Sequence, residues 1–340
     1  MKESASNMFS LSQSRQGEFR RSRKRRPPGG QGEFRRSRKV RPPGGRRGFV
    51  LVAVLILGAT LVTCATAFAW FARMQIKNAT REKITLANRS MAQVLTKAIV
   101  KGMKENTVIK YDSPLLDWFK PFFFPAGDLG TWVVQVVPLD DKIPLRNLFL
   151  PDGTTLRNEL LKTWEDMWGK LERRDIAYTV LDFLDKDTKP RMGGTERETY
   201  INRAPLDISE LLILEEITPE ILYGTPEKPG VDNYCTLWCD GKINVNVAPV
   251  GVLEILPGLD RSLAEKMDDF RRQKPFTSMS DLREIPGFPS RSQAALTNIV
   301  GFSSRYFMIK IEMLEDNGGG TSFSVVFDKT AGTVVRWEEI

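Results

Sequence analysis

Four carboxylates crowd one stretch of this chain. Asp182, Asp185, Asp187 and Glu196 fall in a segment broken by Lys, Pro and Gly, directly after an apolar run. Hard oxygen ligands on an irregular loop suit Ca²⁺, and Asp185, Asp187 and Glu196 take the first, third and twelfth places of an EF-hand loop. Lys189 and Pro190 then stand where that loop wants an oxygen ligand and its glycine, so this is no EF-hand. Two readings stay open: a structural Ca²⁺ site, or a helix-terminating loop whose solvated acids pair with a local Lys or Arg. Cys235 and Cys239 flank Thr236-Leu237-Trp238. In an oxidising compartment they are candidates for a disulfide; two unpaired thiols are the alternative, because spacing alone does not fix the Cα separation. Zinc would need more ligands than this pair offers. The chain has no histidine, which removes Ser-His-Asp and Cys-His catalysis and HExxH zinc sites. GxSxG, P-loop and post-strand GxGxxG motifs are missing too, so the expectation is a protein that is not an enzyme.

Whatever these residues do, they are carried behind a membrane anchor. Phe49 through Phe71 is a run of 23 residues without a charge, entered from Arg46-Arg47-Gly48 and left before Arg73. As a helix it spans about 34 Å, enough for a bilayer core with some tilt. The basic side should stay in the cytoplasm and everything after Arg73 should lie across the membrane. A secretory signal would end in a small-residue cut site after its apolar region; here the only plausible cut lies before the apolar run. Residues 1–48 hold 15 Lys and Arg against three Glu, leaving 35 basic and 39 acidic residues after them. The high pI is therefore no argument for nucleic-acid binding by the remainder. Residues 16–30 recur as 31–45, differing only at Arg25 and Val40. Arg, Pro and Gly without an apolar face predict disorder there. The repeat reads as a tolerated duplication in a discarded segment, with attraction to anionic lipid or nucleic acid as the alternative.

Helical spacing continues through Met74, Ile84, Met91, Val94, Leu95, Ala98, Ile99 and Met103, and no proline interrupts 49–113. One long helix is expected, apolar throughout in its first half and amphipathic in its second. Trp132 to Val137 reads as a strand. The middle of the chain is helical in pattern over 156–171, 176–184, 208–214, 249–256, 262–271 and 280–284. Residues 306–313, 322–327 and 334–337, separated by turns such as Asn317 to Gly320, read as an antiparallel meander. Trp118 to Phe124 reads as a half-buried loop that contacts a partner. The expected class is α+β: a long N-terminal helix packed on a small antiparallel sheet, split by a large helical insertion. The boundaries drawn are a leader 1–48, a span 49–71, a first sheet part 72–138, an insertion 139–300 and closing strands 301–340.

Ile243 to Pro249, Leu256-Pro257-Gly258-Leu259-Asp260 and Ile285-Pro286-Gly287-Phe288 resemble helix-hairpin-helix repeats, as in competence DNA receptors. DNA-binding hairpins need Gly-apolar-Gly turns so that bare N–H groups reach phosphate at a helix start. Asp260 replaces the second glycine of one copy, and Pro289 follows Phe288 in the other. The hairpins are expected to be structural packing units without nucleic acid. A membrane-anchored periplasmic DNA receptor is the alternative function.

Beyond these, Asp182 to Asp187 with Gly193-Gly194-Thr195-Glu196, then Ala204-Pro205-Leu206, Ile217-Thr218-Pro219-Glu220 and Gly241 to Asn246 occur in an order that resembles the minor pseudopilin K family of type II secretion. A basic leader ending in Gly before an aromatic residue is similar to a prepilin signal. The resemblance implies a pilin-like fold, and cleavage of Gly48 from Phe49 by the inner-membrane prepilin peptidase, with methylation of Phe49. It also implies an inner-membrane protein with its folded part in the periplasm, partnered by minor pseudopilins I and J, and raises the expectation of Ca²⁺ in the insertion. Most pilin-like proteins carry Glu at the fifth mature position, where this chain has Ala53. A carboxylate in a bilayer is costly unless a neighbour compensates it, so its absence fits a subunit with none above: the filament tip.

Overall fold

The computed structural model describes residues 46–106, 110–126, 130–289, 294–314 and 320–340, with side chains from Phe49 onward. The duplicated basic segment and most of the Asn317 to Gly320 turn lie outside the described residues. Contacts divide the chain between Ala72 and Arg73 into two units.

Helix α1 runs from Arg46 to Glu105, ending short of the proline-free limit at 113. In the first unit every residue from Phe49 to Phe71 is exposed, so nothing of its own chain covers this apolar surface. The hydroxyls of Thr60, Thr63 and Thr66 bond back to the carbonyls of Leu57, Ala59 and Val62 at 2.8, 2.6 and 3.0 Å. Such back-bonding leaves no unmet polar group on these side chains, as a lipid environment requires.

In the second unit α1 becomes one-sided. Asn88, Ala92, Thr96, Val100 and Met103 are buried, spaced four, four, four and three residues apart. That stripe packs on a five-stranded sheet of β1 (Phe122–Pro125), β2 (Thr131–Pro138), β7 (Tyr306–Leu314), β8 (Gly320–Asp328) and β9 (Thr333–Glu339), in that spatial order and antiparallel throughout. Alternation places Trp132, Val134 and Val136 of β2 and Phe307, Ile309 and Ile311 of β7 on the helix side. The 3₁₀ turn Asp117–Phe119 and edge strand β1 replace the expected half-buried loop, and Phe123 stands 68% exposed.

Between β2 and β7 the chain builds a second core, from Ile143 to Val300. Its elements are β3 (Ile143–Pro144), α2 (Asn158–Lys170), α3 (Ala177–Leu184), α4 (Pro219–Tyr223), β4 (Cys235–Thr236), β5 (Ile243–Asn244), α5 (Val250–Leu253), α6 (Arg261–Arg271) and β6 (Val300–Gly301). The strands pair only in twos, β3 with β4 and β5 with β6. Helix α2 buries Leu160, Trp164, Met167 and Trp168 along one face, and the Trp164 indole donates to Ala177 O at 2.9 Å. Each such large side chain contributes about 1.5–3 kcal/mol on leaving water. The expected helices at 208–214 and 280–284 are 3₁₀ segments, Ile208–Ile213 and Asp281–Glu284.

Candidate functional site

Helix α3 delivers the acidic loop. Asp182 occupies its last turn, and Asp185 follows as C-cap with its N–H on Leu181 O at 2.9 Å. Both carboxylates are buried, and both are met by Arg191. The Arg191 guanidinium donates to Asp182 Oδ1 at 2.9 Å, its backbone N–H reaches both Asp182 oxygens at 3.2 and 3.1 Å, and its Nη1 also contacts Asp185 Oδ2. Its other nitrogen reaches Thr154 O at 2.5 Å, fixing the arginine to the loop before α2. Gly194 is needed for this closure: a Cβ there would stand 2.0 Å from Asp182 Oδ2. Asp187 Oδ1 accepts from Lys189 N at 2.8 Å, a local turn. Glu196 Oε1 accepts from the Asn202 amide at 3.2 Å.

Sequence reasoning named four acids and, in its alternative reading, a local Lys or Arg to pair with them; Arg191 is that partner, though two of the acids are buried and not solvated, and Asn202 was missed. Asn202 carries φ 45°, a backbone conformation Asn tolerates better than most residues, but no spacing rule announces it. Three buried oxygens of this loop find no donor: Asp185 Oδ1, Glu196 Oε2 and Asn202 Oδ1. Burial pushes the Asp185 carboxyl up; Arg191 opposes the shift, and the charges of Asp187 and Asp182 add to it. Glu196 is raised by burial first and then by repulsion from Asp185, Asp182 and Asp187. Orphaned acceptors and mutual repulsion are what a hard cation relieves, so this donor set fits Ca²⁺ in chemistry. Asp182, with both oxygens engaged by Arg191, is the least available of the four.

The described groups whose ligand atoms already lie within 4.8 Å of one another are elsewhere, at Asp140, Cys239 and Asp240. There the carboxylate is spent on backbone: Asp140 accepts from Asp240 N at 2.9 Å, Arg305 N at 3.0 Å and Tyr306 N at 2.9 Å. Burial pushes Asp140 up to about 7, against those three donors. It also drives the Cys239 thiol far above its usual range, leaving it a donor to Lys242 O at 3.4 Å. Of the two readings of the cysteine pair, the structure has the unpaired thiols and not the disulfide. Cys235 and Cys239 are free and buried: the Cys235 sulfur lies in the apolar core 3.4 Å from Met167 Sδ, while Cys239 sits among polar groups beside Asp140 and Asp240.

In the hairpin segment, Gly258 takes φ 77° and Gly287 φ 89°, the turns the sequence pattern calls for. Asp260 caps α6, its Oδ1 accepting from Leu263 N at 2.8 Å, so the side chain itself fills the place at this helix start where phosphate would bind. The cations around it are engaged. Arg271 donates to Val245 O and Ala248 O, both at 2.7 Å. Arg272 pairs with Asp268 at 2.6 Å, Arg261 with Glu265 at 2.7 Å, and Lys274 with Glu284 at 2.9 Å.

The helix-hairpin-helix motif family matches residues 240–302. Comparison with curated proteins finds none that matches. Among solved structures, one chain of the GspK-GspI-GspJ complex from the enterotoxigenic Escherichia coli type 2 secretion system superposes with a TM-score of 0.56 at 15% identity. The match covers 78% of this chain and 99% of that one. The two share a fold. The α+β, pilin-like architecture with its helical insertion is therefore the fold of this chain.

Within it, Asn244 ties the insertion to the segments that flank the sheet, and Asn246 braces the insertion internally. The Asn244 amide donates to Asp112 O and Ser304 Oγ, both at 3.0 Å, while its backbone N–H reaches Asp140 O at 2.7 Å. Asn246 exchanges both bonds with Phe276, at 2.8 and 2.7 Å. At the other stretch singled out in the sequence, Gly48 and Phe49 lie in the first turn of α1, and Phe49, Ala53 and Phe71 are exposed.

Proposed function

We propose that this chain is a non-enzymatic minor pseudopilin of a type II secretion system. Phe49–Phe71 anchors it in the inner membrane with its N-terminus cytoplasmic and the second unit in the periplasm. Prepilin peptidase cuts between Gly48 and Phe49, and Phe49 is then methylated. The protein sits at the pseudopilus tip with minor pseudopilins I and J and initiates or caps assembly. The carrying observation is the architecture itself: a one-sided helix on an antiparallel sheet, opened between β2 and β7 by an insertion with its own core. That insertion could not repeat down a filament without clashing, so bulk stops further addition. Ala53 fits the same position, since a subunit with nothing above it gains nothing from a buried carboxylate there.

Ca²⁺ belongs to this reading as a structural ion of the insertion. Asp185, Asp187, Glu196 and Asn202 would hold it, and its charge would relieve the repulsion that burial imposes on the loop. The DNA-receptor reading draws on the hairpin match, but the Asp260 cap and the paired cations of residues 240–302 speak against it. Salt-dependent duplex binding by the purified protein would revive it.

The deciding experiment is mass mapping of the N-terminus after membrane extraction. A mature chain that begins with methylated Phe49 is expected. A chain that keeps its arginine tract overturns the proposal.

A further inference from the structure

Ahead of its sheet-packed stretch, helix α1 carries a basic ridge that nothing among the described residues answers. Arg73, Lys77 and Arg81 follow one another four residues apart, so they stack on one face of the helix. All three are exposed, and among the described residues none makes an ion pair or a side-chain hydrogen bond. No Asp or Glu occurs from Phe49 to Arg81. The first acid, Glu82, lies a quarter-turn or more round the helix from each of the three cations. Seven residues past Arg81 the same face turns inward at Asn88, whose amide meets Thr321 Oγ1 of β8 at 3.3 Å. It stays buried at Ala92 and Thr96. The sheet therefore starts beyond the ridge, and among the described residues nothing covers it.

We propose that Arg73, Lys77 and Arg81 bind the phosphates of anionic lipid headgroups in the leaflet from which α1 emerges. The ridge begins two residues beyond Phe71. At about 1.5 Å per residue, its three Cα atoms stand roughly 3, 9 and 15 Å past the end of the apolar run. The headgroup layer is about 5–7 Å deep on each side of the hydrocarbon core. Side chains on a helix lean toward its N-terminus, here toward the bilayer, so the long stems of Lys77 and Arg81 reach back to that layer. Each Arg offers a planar fork that takes phosphate oxygens in pairs, and Lys77 adds a point charge between the two forks. A straight helix laid along this face would meet the protein's own sheet from Asn88 onward, so the ridge suits small anions and not a neighbouring helix. Headgroups held here fix the depth of α1, and drawing the span out of the bilayer has to break these contacts. The inference rests on the reading of Phe49–Phe71 as a membrane anchor, and not on its processing or its partners.

The test places the full-length chain in nanodiscs of mixed phosphatidylcholine and phosphatidylglycerol and counts the lipids it retains by native mass spectrometry. The triple variant Arg73→Gln, Lys77→Gln and Arg81→Gln should lose about two to three phosphatidylglycerol molecules per chain, near one per cation removed, with phosphatidylcholine unchanged. Its melting temperature should not move, because the three side chains touch nothing in the fold. The control triple Lys97→Gln, Lys101→Gln and Lys110→Gln removes the same charge from exposed positions farther along the chain and should lose none. Lipid held by the leader is common to every variant and drops out of the difference. A ridge variant that keeps its phosphatidylglycerol, or a control that loses as much, overturns the ridge and leaves the anchor reading standing. The ridge variant is also co-expressed with minor pseudopilins I and J: losing them while lipid retention is unchanged gives the ridge to a protein partner and overturns the proposal. A chain that stays soluble and never enters the discs overturns the anchor and the ridge together.

Discussion

Arg191 decides how much of the acidic loop is left for an ion. It answers both oxygens of Asp182 and one of Asp185, so the unmet charge is confined to Asp185 Oδ1, Asp187 and Glu196. Asp185 and Glu196 are raised from ordinary values of 3.8 and 4.5, so in the native state both hold protons to higher pH than in the unfolded chain. Their contribution to stability is therefore present at and below those ordinary values and is lost as pH rises through the raised native ones. Without calcium, the melting temperature of the unit Arg73–Ile340 should fall over that window. Calcium requires the ionised forms, so it should restore stability at pH 8 and do little at pH 4.5. Asp185→Ala should abolish most of the calcium response. A melting curve indifferent to the ion at pH 8, in wild type and variant alike, would remove calcium from this loop. The sequence showed the acids because their type and clustering are local properties. It did not single out Arg191 from the other local Lys and Arg as their partner, because an arginine six residues past Asp185 is equally at home in solvent.

Elements with a strong period were legible, and those fixed by long-range pairing were not. The one-sided half of α1, the strands β2, β7, β8 and β9, and α2, α3 and α6 all carry their period in the sequence. Strand β1 was missed because Phe122-Phe123-Phe124 is continuous rather than alternating, and only pairing with β2 makes it a strand. The state of the cysteine pair stayed open in the sequence for a related reason: four residues of spacing say nothing about which way two thiols point. Helix α6 shows how one residue can be read for what it prevents and missed for what it does. Asp260 reads as a charge hostile to phosphate, yet its local role is to satisfy Leu263 N at the helix start. Asp260→Ala should cost about 1 kcal/mol of stability by denaturant melting, while Asp260→Asn should cost a few tenths. If the alanine variant gained DNA affinity in low salt, the hairpin would be a disabled binding site; if it only lost stability, the hairpin is a packing unit.

At the scale of the molecule the difficulty is that a long insertion must leave and re-enter a sheet without loosening it. Residues Leu139 and Tyr306, 167 apart in sequence, are joined by a hydrogen bond from Leu139 N to Tyr306 O at 2.9 Å. Asp140 closes the junction, taking N–H groups from Asp240 inside the insertion and from Arg305 and Tyr306 at the return. Asp112, after α1, accepts from Ser304 N at 2.8 Å and is itself met by Asn244. These bonds set the orientation of a body whose proposed task is to block the filament end, and a block that swung freely would not exclude an incoming subunit. Asp140→Ala leaves three part-buried N–H groups without an acceptor, at the lower end of about 1–3 kcal/mol each, so a loss on the order of 3 kcal/mol is expected. In a unit of this size that lowers the melting temperature by roughly 6–12 °C. The loss should be concentrated at the junction: amide exchange at Asp240, Arg305 and Tyr306 should accelerate far more than at Trp164 or Phe183 in the insertion core. Uniform acceleration across both cores would mean that Asp140 merely adds to global stability and does not hold one body against the other.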